Sequence, residues 1–168
     1  MANIIVTGSV ATGKTTLAKA LAKKLHYTYL DANTLINKHK EVVTGYDTLR
    51  KTKEIDTKRL NKILLEEIKK SKKGTIIDSH LSHYLPAKNI DLCIVCKCSL
   101  KTLKKRLKQR NYSKLKIREN LDAEIFDVCL TEALEAGHNV QIAQTEKSLN
   151  KELTRLSQII QRKNTPRH

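Results

Sequence analysis

Residues 8–16 read Gly-Ser-Val-Ala-Thr-Gly-Lys-Thr-Thr and fit the phosphate-loop pattern G-x-x-x-x-G-K-S/T. No other stretch constrains the chain as much, because the pattern works only between a strand and a helix. A glycine turns out of the strand, and the following peptide N–H groups converge on an anion. That anion also sits at the positive end of the next helix. The flanks supply both elements. Residues 3–7 are a short, mostly β-branched run, and Leu17, Ala18, Leu21, Ala22 and Leu25 recur with helical spacing. In such a loop Lys14 reaches the β- and γ-phosphates of a nucleoside triphosphate and Thr15 holds Mg²⁺.

A chain of 168 residues is long enough for one domain with a core and too short to require two, so a single domain over 1–168 is expected. No apolar run approaches membrane-spanning length, and the N-terminus lacks a charged segment followed by a long apolar one and a cleavage site. The expectation is a cytoplasmic protein with no membrane partner. Four cysteines then read as reduced thiols. Cys93 and Cys96 would point to opposite faces of one strand, a poor metal clamp, while Cys129 stands alone on a helix. The formal charge of +16 favours acidic partners such as nucleotides, RNA or ribosomal surfaces, without choosing among them.

Short β-like runs alternate with helical patterns along the chain. This order predicts an α/β fold, a parallel sheet with helices on both faces. Strands are expected at 3–7, 27–31, 75–77, 92–96 and around Val140 and Ile142. Asn33 is a candidate cap for a short helix, and residues 38–55 carry no sustained period and leave the sheet. Asp56, Ser99, Ser113 and Ser148 are candidate N-caps of later helices. The Ser99 helix is expected to pack through Leu100, Leu103 and Leu107. The Ser113 helix is expected to pack through Ile117, Leu121, Ile125 and Val128 and to run on to near Gly137. Between residues 101 and 118 there are nine basic residues and no acid; between 119 and 135 there are six acids and no base. A positive patch around Arg106 to Arg118 is thus a candidate clamp for several phosphates.

Asp78-Ser79-His80 follows a predicted strand, and the two-residue period puts Asp78 and His80 on one side of its carboxyl end, where open α/β sheets bind ligands. Asp78 there suits orientation of Mg²⁺ or its water. Phosphoryl transfer also needs cations over the phosphates. Arg106 and Arg110, four residues apart on a helix, share a face. An acceptor monophosphate would use the excursion after Asp31, with Arg50 or Arg59 as its phosphate contact.

These features together resemble one branch of the adenylate kinases, the archaeal and eukaryotic nuclear type known as adenylate kinase isoenzyme six or the Fap-seven family. The resemblance runs from residue 3 to about 132. It rests on Gly13-Lys14-Thr15-Thr16, Gly45-Tyr46-Asp47, Asp78-Ser79-His80, Arg106 with Arg110-Asn111-Tyr112, and Asn120 followed by Ala123-Glu124-Ile125-Phe126. It implies a P-loop nucleoside monophosphate kinase fold, a five-stranded parallel sheet with a monophosphate-binding region at about 31–54 and a lid at about 109–119. It implies broad-specificity kinase activity, ATP + AMP giving two ADP, with Mg²⁺-dependent ATPase activity. It also implies a role in late small-subunit maturation, through transient contact with small-subunit ribosomal protein eleven of the universal family and the pre-ribosomal particle, and a possible rRNA contact.

Carried over residue by residue, the family's ATP contacts fall on Ala11, Gly13, Lys14, Thr15, Thr16 and Arg110, with Lys147 beside the adenine. The catalytic set is Lys14, Asp78, His80, Arg106 and Arg110, and the metal set Thr15 and Asp78. Three departures stand out. Val10-Ala11 replaces Pro-Gly, so if residue 11 needs a positive φ, alanine costs about 1 kcal/mol there. Asn111 replaces a glycine, a mild change because asparagine tolerates the left-handed region. Thr48-Leu49-Arg50-Lys51 follows Tyr46-Asp47 where the family has acids. The alternative reading is an ATPase assembly factor with incidental kinase activity. A small-metabolite kinase is a third, and a signalling GTPase is disfavoured because no Asp-x-x-Gly switch follows the loop.

Overall fold

A computed structural model of the chain describes residues 1–146 and 148–164. Five parallel strands form its centre: β1 (Asn3–Thr7), β2 (Thr28–Asp31), β5 (Thr75–Asp78), β6 (Leu92–Lys97) and β7 (Val140–Gln144), in the order β2-β5-β1-β6-β7. The β-branched run of β1 takes the middle place and pairs on both sides, Ile4 with Ile76 and Leu92. Its alternation sorts side chains between two faces. Ile4 and Val6 join Leu17, Leu21, Leu156 and Ile160 under α1 (Lys14–Leu25) and α7 (Leu149–Asn164). Ile5 joins Ile36, Leu60, Leu64 and Ala133 under α2 (Ala32–Lys38), α3 (Thr57–Lys70) and α6 (Val128–Glu135). Cys96 and Cys93 fall into these two separate clusters, as their spacing predicts. Burial pushes both thiols up to about 12, so they are inert apolar fillers.

Three of the expected caps are in place and one is replaced. Asp56, Ser99 and Ser113 each accept a backbone N–H three residues on, opening α3, α4 (Leu100–Gln109) and α5 (Lys114–Ile125). The short helix α2 is capped by Asp31, not Asn33: the Asp31 carboxylate accepts from the Asn33 N–H at 2.9 Å.

Other expectations are corrected. The single helix after Ser113 is two, α5 and α6, because Asp127 takes φ 52 between them and ion-pairs with Lys97. Ile125 and Val128 are consequently exposed instead of packed, as is Leu100. Residues 38–55 are not featureless: β3 (Val43–Asp47) and β4 (Thr52–Ile55) form an antiparallel hairpin apart from the main sheet. Its strands are polar at most positions, so no core period marks them. Among the described residues no helix is long and apolar enough to cross a membrane.

Candidate active site

Strand register builds the site. Val6 of β1 lies opposite Asp78 of β5, so the loop that leaves β1 starts beside that aspartate. At Gly8 the backbone takes φ 137, and a Cβ there would stand 2.5 Å from the Cys96 carbonyl oxygen. Only glycine makes this turn. Gly13 forms the N-cap of α1 with φ 92, which leaves the first-turn N–H groups of α1 facing the cleft. Ala11 between them has φ 66 and Asn111 in the α4–α5 connection has φ 54. The condition for strain at residue 11 is met, and alanine bears about 1 kcal/mol of it.

The polar side chains converge at that loop. The Thr15 hydroxyl donates to Asp78 Oδ2 at 2.6 Å, and the Tyr29 hydroxyl donates to the same oxygen at 2.9 Å. Asp78 itself is 4% exposed. Burial and the Asp78 carboxylate raise the Tyr29 phenol, keeping it a neutral donor. Lys14 is buried and donates from Nζ to the Ser9 carbonyl at 2.7 Å; burial lowers its pKa, partly offset by Asp78. His80 sits at the lip of the cleft. The cleft walls shield its imidazole from bulk water although its outer edge is exposed. That desolvation, with the charges of Lys14, His83 and Lys116, pushes it down to about 4, so it is neutral near pH 7. Arg106 Nη1 donates to the Ala11 carbonyl at 3.3 Å.

Three cavities open along this line. The first, about 400 Å³, is lined by Ala11, Gly13, Arg106, Arg110, Thr145 and Glu152. The second, about 320 Å³, holds Lys14, Thr15, Asp78, His80, Arg110 and Lys116. The third, about 590 Å³, lies under the hairpin between Asn33, Tyr46, Lys51, Lys53 and His80. Arg110 borders the first two and His80 the last two, so the cavities are contiguous. Each has the size of a small-ligand site. The geometry brings Ala11, Gly13, Lys14, Thr15, Thr16, Asp78, His80, Arg106 and Arg110 to this line. Lys147 lies outside the described residues.

The two arginines expected at the acceptor are engaged elsewhere. Arg50 forks onto Glu119 of α5 at 2.7–3.0 Å and onto Asp47, and Arg59 binds the Asp56 carboxylate and the Glu41 carbonyl. The hairpin cations that line the third cavity are Lys51 and Lys53. Lys116 adds a second link from α5, donating to the Arg50 carbonyl at 3.1 Å. Sequence reasoning also passed over Tyr29, Ser9 and Thr145. Thr145 follows β7 and its hydroxyl binds the Thr12 carbonyl. Strand alternation in 28–31 was the available signal for Tyr29.

A family described as an AAA domain matches residues 4–127. The chain is 35% identical over 161 residues to the "Putative adenylate kinase" of Thermococcus kodakarensis, covering 95% of this chain and 85% of that one. It is 41% identical over 138 residues to the protein of the same name from Pyrococcus furiosus, covering 82% and 71%. The chain belongs to this adenylate kinase family. An "Adenylate kinase isoenzyme 6 homolog" of Caenorhabditis elegans matches at 28% over 162 residues, 94% of this chain and 88% of the relative. A sugar kinase from a Janibacter species superimposes with a TM-score of 0.61 at 16% identity, over 93% of this chain and 92% of that chain; it shares the fold. Family membership makes this chain a phosphotransferase.

Proposed function

We propose that this adenylate kinase relative is a broad-specificity nucleoside monophosphate kinase, moving the terminal phosphoryl group of ATP to AMP with release of two ADP. The observation that carries the reading is the run of three contiguous cavities, with Lys14, Thr15 and Asp78 at the middle one. A donor nucleoside fits the first, its phosphates the second and an acceptor monophosphate the third. Residues 31–54 then form the monophosphate-binding region and 109–119 the lid.

The oxygens of Thr15 and Asp78, 2.6 Å apart, are hard donors of the kind Mg²⁺ prefers and would hold it with its waters. Bound there, Mg²⁺ supplies charge neutralisation to the phosphate oxygens. Lys14 leaves the Ser9 carbonyl for the β- and γ-phosphates, whose charge restores the proton affinity that burial lowers. Ala11, Gly13 and Thr16 line the donor side. Arg106 and Arg110 cancel charge on the equatorial oxygens as the P–O bond to ADP breaks and the bond to the acceptor phosphate oxygen forms. His80, neutral and between the second and third cavities, orients the acceptor oxygen or, without an acceptor, a water. That last arrangement gives a slow Mg²⁺-dependent ATPase activity.

The decisive experiment measures ADP formation from ATP and Mg²⁺ with and without each nucleoside monophosphate. Strong stimulation by AMP, lost in Lys14→Ala, is expected. Turnover that survives Lys14→Ala overturns the site.

A second reading is favoured by the surface. Lys101, Lys104, Lys105, Lys108, Lys114 and Arg118 are all exposed, and the only phenylalanine, Phe126, is 73% exposed. We infer a cytoplasmic assembly role in which ATP hydrolysis times transient binding to small-subunit ribosomal protein eleven and the pre-ribosomal small subunit, with rRNA contact through the basic helices. It requires an affinity for the ribosomal protein that ATP changes. Indifference to nucleotide would remove it.

A further inference from the structure

Glu124 has no part in the reaction proposed above, yet it enters the phosphate loop from below. Its side chain leaves the last turn of α5, and the residue is 8% exposed. Oε2 accepts from the Ser9 hydroxyl at 2.7 Å; Oε1 is buried with no partner among the described residues. Ser9 is also where the loop is tied. Its carbonyl gathers Lys14 Nζ at 2.7 Å, Thr12 Oγ1 at 2.8 Å and the Thr12 N–H at 3.3 Å. One residue therefore fixes the turn of residues 9–12 and the resting place of the lysine.

A carboxyl group in this place carries a cost in stability, because one of its oxygens is buried and unpaired among the described residues. Close to it is Cys98, part of an apolar cluster with Ala11, Leu103 and Leu107 on which Val10 and Leu121 pack. An aliphatic side chain there would avoid the unpaired Oε1, which opposes folding, but it would leave the buried Ser9 hydroxyl without its acceptor. What the carboxylate alone supplies is an acceptor for Ser9. We propose that Glu124 is a positioning residue of the phosphate loop, acting through the Ser9 hydroxyl to hold residues 9–12 in the shape that receives the triphosphate. The helix carrying it also holds the hairpin, through Glu119 and Lys116 on Arg50. Thus α5 is anchored to the donor loop at one end and to the acceptor hairpin further along.

The proposal rests on the donor-site reading above, and its test separates the two. Binding of a non-hydrolysable ATP analogue with Mg²⁺ is measured by calorimetry, with KM and kcat for ATP, on wild type, Ser9→Ala, Glu124→Ala, Glu124→Gln and the Ser9→Ala/Glu124→Ala pair. Removing one charge-assisted hydrogen bond should weaken the analogue and raise the ATP KM by about tenfold in either alanine variant, with kcat changed far less. The pair should be no worse than one variant, since both remove the same contact. Glu124→Gln keeps an acceptor oxygen and should recover most of the loss. A residue with only a structural role would lower the melting temperature and leave the KM alone. An unchanged KM in both alanine variants, or losses that add in the pair, overturns the positioning role. Failure of the wild type to bind the analogue overturns the donor-site reading itself.

Discussion

Two substitutions at Asp78 separate what its shape does from what its charge does. Both the Thr15 and Tyr29 hydroxyls donate to one oxygen, Oδ2. In Asp78→Ala both donors lose their acceptor in a site where Asp78 is 4% exposed. Hydrogen bonds to a charged group contribute about 1.5–3 kcal/mol each, so the loss is about 3 kcal/mol at the low end of that range. For a chain of 168 residues, about 2–4 °C per kcal/mol converts this to a melting point lower by about 6–12 °C. Asp78→Asn differs. Its amide oxygen can occupy the Oδ2 position and accept both hydroxyls, so its stability should stay within about 1 kcal/mol of wild type. Mg²⁺-dependent turnover should fall about a hundredfold or more in both variants, because neither retains the anionic oxygen. Differential scanning calorimetry and an ADP-formation assay read the two effects. An asparagine variant as unstable as the alanine variant would show that the charge facing Lys14, and not the two hydroxyls, is what Asp78 contributes to the fold. Full turnover in either would remove Asp78 from the chemistry.

Two further outcomes follow. His83 is buried, accepts the Thr7 hydroxyl at Nδ1 (2.9 Å) and donates from Nε2 to Glu132 (2.8 Å), while its carbonyl accepts from His138. Burial lowers its pKa against the opposing pull of Glu132, so the unfolded chain takes up a proton first; stability should be full above about pH 6.5, fall as pH drops below that, and fall less in His83→Gln, as read by urea unfolding. At Gly74 a Cβ would stand 2.3 Å from the Tyr27 ring and 2.7 Å from the Ala2 carbonyl, so Gly74→Ala should lose about 1–3 kcal/mol by the same measurement, and an unchanged midpoint would show that Tyr27 moves freely.

Much of this was legible in the sequence because it rests on local chemistry. The β-branched run before Gly8 and the caps at Asp56, Ser99 and Ser113 are each decided within a few residues, whereas the left-handed positions at Ala11 and Asn111 show only through the resemblance, as replacements of the family's glycines. What was not legible depends on distant contacts. Nothing near Arg50 announces that Glu119, 69 residues on, takes its guanidinium. The same holds for Ser9 and Glu124, 115 residues apart. The break at Asp127 was missed for a related reason: the helical period continues through 125–128, and a left-handed aspartate paired with Lys97 overrides it. The hairpin at 43–55 was missed because polar strands facing a cavity carry no hydrophobic alternation.

The central place of β1 also sets an order in which the molecule comes apart. The donor loop grows from a strand paired on both sides, so its protection against hydrogen exchange approaches that of global unfolding. Among the described residues the hairpin pairs with no strand of the main sheet, and it meets α5 through exposed polar groups. On warming, local opening should reach the hairpin first. The acceptor side is then surrendered while the phosphate cradle stays folded, and the partly opened protein grips a triphosphate with nothing to hand it to.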